Sequence, residues 1–93
     1  MARVNYRARH ILLGDLDEAK EIVELIRQGQ DFGDLAREYS ECETAAKGGE
    51  LGSFFSGKMV PEFERALYHL EDGEVSRPIK SKFGYHIIQR LKS

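Results

Sequence analysis

The chain has 93 residues and a formal charge of -2, from 14 basic and 16 acidic side chains. That bounds it to one domain over residues 1–93 with room for one cleft, and gives no electrostatic reason to expect a nucleic-acid partner. One cysteine, Cys42, excludes an intrachain disulfide and fits a reducing compartment. The N-terminal residues carry no apolar h-region, and no apolar run approaches the roughly 20 residues of a membrane span. A cytoplasmic protein without a membrane partner is therefore the expectation.

In chain order, Arg7 to Leu13 reads as a strand. Ala8, His10 and Leu12 share one face and Ile11 and Leu13 the other, so both faces are apolar and a central position follows. Gly14-Asp15 ends it. Asp15 with Glu18 resembles a capping box, and Ala19, Ile22, Val23 and Ile26 recur at helical spacing, with Gly29 as the stop. Asp31 caps a second, shorter helix whose Phe32, Leu35, Ala36 and Tyr39 share a face. Ser40 to Lys47 is polar and irregular. Glycines then cluster at 48, 49, 52 and 57, with a short strand expected over Leu51 to Phe54. Pro61 suits the first position of a third helix, with Phe63, Ala66, Leu67 and Leu70 on its apolar side and His69 at its exposed end. Val75 to Ile79 reads as a strand that lies at an edge or ends at Pro78, which cannot donate to a ladder. Lys82-Phe83-Gly84 is a turn, and Tyr85 to Leu91 is the last strand, with His86 and Ile88 on one face. The order β-α-α-β-α-β-β implies an α+β fold, helices packed on a small, mainly antiparallel four-stranded sheet. The basic groups Arg3/Arg7/Arg9 and Lys80/Lys82 read as solvated strand ends and turns.

Few residues carry chemistry. A histidine in an apolar strand is most often a hydrogen-bonded core residue, but His10 and His86 sit in similar settings on strands that pair if adjacent. Cys42 is a lone thiol in a polar loop. A Cys-His hydrolase built on it lacks any signature around the cysteine and room for an oxyanion hole. A zinc site from His10, Cys42 and His86 lacks a close ligand pair. Leu51, Met59 and Phe63 are ordinary core candidates by spacing, yet the glycines around them suggest a backbone bent to present them.

Taken in order, His10-Ile11-Leu12, Phe32-Gly33-Asp34-Leu35-Ala36, Gly48-Gly49-Glu50-Leu51-Gly52-Ser53-Phe54, Met59-Val60-Pro61-Glu62-Phe63 and Phe83-Gly84-Tyr85-His86-Ile87-Ile88 resemble the parvulins, peptidyl-prolyl cis/trans isomerases, over nearly the whole chain. The resemblance implies a four-stranded antiparallel sheet surrounded by helices. It also implies a proline-ring pocket of Leu51, Met59 and Phe63, and a catalytic group of His10, Cys42 and His86 in which the two histidines bond to each other. Ser81 and Phe83 would border the site. The implied substrates are proline-containing segments of unfolded or flexible proteins, and the implied protein is a monomer needing neither metal nor cofactor. The short acidic connection Gly14-Asp15-Leu16-Asp17-Glu18 stands where phosphate-directed parvulins carry a long basic loop, so no preference for phospho-Ser/Thr-Pro is expected. The chain has no Trp, which excludes a WW module.

Overall fold

Apolar residues on both faces of the first strand call for cover on both sides, and the arrangement supplies it. The computed structural model describes residues 4–93, so Arg3 of the basic groups lies outside the described residues. Strand β1 (Asn5–Leu13) is followed by helices α1 (Leu16–Arg27) and α2 (Phe32–Tyr39) and a 3₁₀ segment (Glu43–Lys47). Strand β2 (Glu50–Phe55), helix α3 (Pro61–His69) and strands β3 (Ile79–Ser81) and β4 (Gly84–Leu91) complete the chain. The strands form one antiparallel sheet in the order β2-β1-β4-β3, the α+β architecture expected. The first and last strands are its central pair.

One face packs Ile11, Leu13 and Ile87 against Ala19, Ile22, Phe32, Leu35 and Ala36 of α1 and α2. The other packs Tyr6, Ala8 and Ile88 against Phe54 and against Phe63 and Leu67 of α3. The helix ends follow their sequence signals. Asp15 and Asp31 accept from the Glu18 and Asp34 amides, as N-caps do. Gly29, at φ 99°, lets the Gly29 and Gln30 amides reach back to Ile26 and Leu25, the paired bonds that close a helix on a left-handed residue. The carbonyls of Leu67 and Leu70 at the end of α3 accept from the Arg90 guanidinium at 3.3 and 3.0 Å, so β4 caps that helix from across the sheet.

Three expectations are corrected. The strand expected over Val75 to Ile79 does not form as one piece. Val75 makes an isolated bridge to Gln89, and the ladder resumes only at Ile79, opposite His86. Pro78 has no amide to give, and the chain between bulges around Ser76. The buried Ser76 repairs the gap: its amide donates to Ile88 O and its hydroxyl oxygen accepts from Ile88 N at 3.0 Å. The stretch after Ser40 is not wholly irregular either, since Glu43–Lys47 winds into the 3₁₀ segment. Of the basic groups, Arg9 is no solvated strand end: its guanidinium lies 4.7 Å from the Phe32 ring centroid and its Nε donates to Gln89 at 2.6 Å.

Candidate active site

The pairing of β1 with β4 sets Leu12 opposite His86 and His10 opposite Ile88. The two histidines are thus diagonal neighbours on the α3 face, within side-chain reach. Their Nδ1 atoms lie 3.0 Å apart and their rings stack, with centroids 5.2 Å apart and planes 16° from parallel. A bond between two ring nitrogens carries one proton, so one ring donates and the other accepts. His86 Nε2 bonds in turn to the Ser81 hydroxyl at 2.6 Å, and that oxygen also accepts from the Phe83 amide. At the other end of this chain of bonds, His10 Nε2 is buried with no hydrogen-bond partner among the described residues. Burial, then the neighbouring His86, pushes His10 down to about 4. Burial also lowers His86, with the Glu62 carboxylate acting in the opposite direction. The pair is therefore neutral near pH 7, a polar but uncharged floor.

Phe63 stands edge-on to both imidazoles, with centroids 5.6 Å from His10 and 5.5 Å from His86 at 74° and 89°. At 2% exposure it belongs to the core as much as to any cleft, so the reading of it as presented by the glycine stretch needs correction. Leu51 and Met59 are half-buried on the same cluster. The glycines serve a different purpose. Gly49, at φ 84°, lies flat against β1, its carbonyl accepting from the His10 amide at 3.0 Å, and a Cβ there would overlap the His10 carbonyl oxygen.

Cys42 is half-buried and precedes the 3₁₀ segment. It is tied to the site through its neighbours. The Glu41 amide donates to Leu12 O at 2.8 Å, and the Ser40 hydroxyl accepts from the Leu12 amide at 3.0 Å and the Cys42 amide at 3.4 Å. Ser40 and Glu41 thus continue along β1 where β2 leaves it. Among the described residues the Cys42 sulfur makes no hydrogen bond to either histidine, and three of the four imidazole nitrogens are already engaged. Among the described residues the thiol is thus not hydrogen-bonded to a base, as a nucleophilic pair would be. No group of three His, Cys, Asp or Glu among the described residues is placed to hold a metal ion.

Ser81 is at the site through His86, while Phe83 is 60% exposed, with Lys82 Nζ 5.2 Å from its ring centroid. Sequence reasoning missed Ser40, Ser76 and Glu64, whose carboxylate holds the backbone around Met59. Short-range pattern had little to offer for the two serines, because their partners are distant in sequence. A cavity of about 650 Å³ lies elsewhere: a groove between α3 and the 74–80 segment, lined by Ala66, Leu70, Val75 and Ile79 among others.

This geometry has known counterparts. Residues 16–92 match the family described as Rotamase, the PPIC-type PPIase domain. The chain belongs to this peptidyl-prolyl isomerase family. The foldase protein PrsA of Caldanaerobacter subterraneus subsp. tengcongensis is 52% identical to it over 85 residues, 89% of this chain and 28% of that protein. The crystal structure of the peptidylprolyl isomerase PrsA from Bacillus anthracis superposes with a TM-score of 0.94 at 44% identity, over 96% of this chain and 42% of that one. The solution structure of NmPin, the parvuline of Nitrosopumilus maritimus, gives 0.86 at 45% identity over 99% of both chains. The chain spans less than a third of the curated relatives it matches. It is a parvulin-type peptidyl-prolyl cis/trans isomerase domain.

Proposed function

We propose that this parvulin domain turns X-Pro bonds without covalent chemistry, in a cleft walled by Leu51, Met59 and Phe63, floored by His10 and His86 and bordered by Ser81 and Phe83. The observation that carries the reading is Phe63 set edge-on to a neutral, mutually bonded histidine pair. A planar amide is more dipolar than a twisted one, so a dry apolar site favours the twisted state relative to water while gripping the proline ring. Each tenfold gain over the slow uncatalysed rotation needs about 1.4 kcal/mol of such differential stabilisation. Cys42 acts on the electrostatics near the susceptible carbonyl, and the histidines hold the site in shape.

The substrate reading includes no preference for phosphate before the proline. Asp15 lies in the short turn after β1, Asp17 and Glu18 follow in the first turn of α1, and Glu41 Oε2 accepts from the Gly14 amide beside them. These carboxylates would repel a phosphate. The balanced charge of the chain supports polypeptide rather than nucleic acid as the partner of a monomer. The free thiol of Cys42 supports a cytoplasmic working place.

Exchange NMR on an Ala-Leu-Pro-Phe peptide tests the proposal. Substoichiometric domain should accelerate cis/trans interconversion without cleaving the peptide. Binding with no gain in exchange rate would leave only a holding function, and a cleaved product would revive a hydrolase.

A further inference from the structure

Met59 lies in the five-residue loop 56–60, of which Ser56 is still tied beside β1 by its amide on the Val4 carbonyl at 2.8 Å. β2 ends at Phe55, α3 begins at Pro61, and Gly57 takes a positive φ of 96° in the turn between them. The Lys58 amide donates to the Phe55 carbonyl at 3.3 Å, and a single side chain holds the Gly57 and Met59 amides. The Glu64 carboxylate accepts from the Gly57 amide at 2.8 and 2.9 Å and from the Met59 amide at 2.8 Å. Glu64 forms no ion pair among the described residues, so its charge is spent on those two amides.

Ordinary capping does not describe this arrangement. An N-cap side chain satisfies amides of its own helix, whereas Glu64 sits in the first turn of α3 and reaches backwards past Val60 to amides outside it. Those amides lie in an exposed or half-exposed loop, where water would satisfy them equally. The bonds therefore add little to stability and much to position. Glu64 also follows Phe63 directly, so one turn of helix holds one pocket wall in the core and fastens the other.

We propose that Glu64 is a positioning residue for isomerisation, latching the Gly57–Met59 loop to α3 so that Met59 is held beside Phe63 as the adjustable wall of the proline pocket. This rests on the assignment of Met59 to that pocket. It places the adaptable part of the site in a loop carrying a flexible thioether side chain, with the carboxylate as its fastening.

The test measures isomer-exchange kinetics of a Leu-Pro peptide at varied concentration for Glu64→Ala, Glu64→Gln, Met59→Ala and the Glu64→Ala/Met59→Ala double variant. An untethered wall weakens ground-state and transition-state binding alike. Glu64→Ala should therefore raise KM about tenfold with kcat within about twofold, while the Gly57 and Met59 amides lose hydrogen-exchange protection and the melting temperature barely moves. Glu64→Gln keeps an acceptor oxygen and should stay within about threefold of the parent. In the Met59→Ala background, Glu64→Ala should add less than about twofold, because both act through one wall. An equal loss from Glu64→Ala in both backgrounds would overturn the latch and leave the pocket intact. An unchanged KM in Met59→Ala would overturn the pocket assignment and the latch with it.

Discussion

At the residue scale, the proposed division of labour between Phe63 and Cys42 can be tested directly. Phe63→Ala should lower kcat/KM by about a hundredfold, and because Phe63 is a core residue it should also cost about 3–5 kcal/mol of stability. The kinetics belong at a temperature where a melting curve shows the variant folded. Cys42→Ser should keep activity within about tenfold, consistent with an electrostatic role. Complete loss in that variant, with a covalent adduct by mass spectrometry, would reverse the assignment. The histidine pair makes a second prediction. The folded value of His10 lies near 4, below the 6.5 of the ordinary group, so unfolding takes up a proton between those values. The contribution of neutral burial is complete above pH 6.5 and is lost as the pH falls toward 4, by roughly 3 kcal/mol across the window. Urea unfolding near pH 7 and near pH 4.5 should show the loss, and His10→Gln should shrink it. That two histidines lie on matching strand faces is legible in the sequence, through the alternation around Ala8, Leu12 and Ile88. Their Nδ1 contact, and the Ser81 hydroxyl that ends the chain of bonds, depend on a register that alternation alone does not set.

At the element scale, local signals told most about helices and least about strand ends. Asp15 and Asp31 mark helix starts because a cap acts on amides three residues away, and Pro61 because its fixed φ suits the first helical position; both signals lie within any sequence window. The β3 edge was misplaced because its limits are set by β4: Ile79 finds a partner in His86, while Ser76 is drawn out of register to serve Ile88. Ser76→Ala should leave the Ile88 amide buried and unpaired, at a cost of about 1–3 kcal/mol, seen as a lower urea midpoint and faster hydrogen exchange at Ile88. Gly49→Ala is expected to be worse than its size suggests. The added methyl meets the His10 carbonyl and strains a left-handed backbone at once, so the contact between the glycine stretch and β1 should open and isomerase activity fall with the melting temperature.

At the scale of the whole molecule, the acidic end beside β1 has a consequence for substrate choice. Phospho-Ser-Pro and Glu-Pro peptides should be turned over no faster than Leu-Pro, and a strong preference for either anion in a competition assay would refute the charge argument. The central position of β1 and β4 reaches further. His10 and His86 are 76 residues apart, and the sheet between them closes only when the earliest strand meets the latest. Entropy of loop closure is lost before that long-range contact returns anything. During synthesis the domain therefore has no half-built site: until β4 has been made, β1 keeps a bare edge open to strangers. An isomerase domain built this way is silent throughout its own folding, and its first turnover reports that the last strand is home.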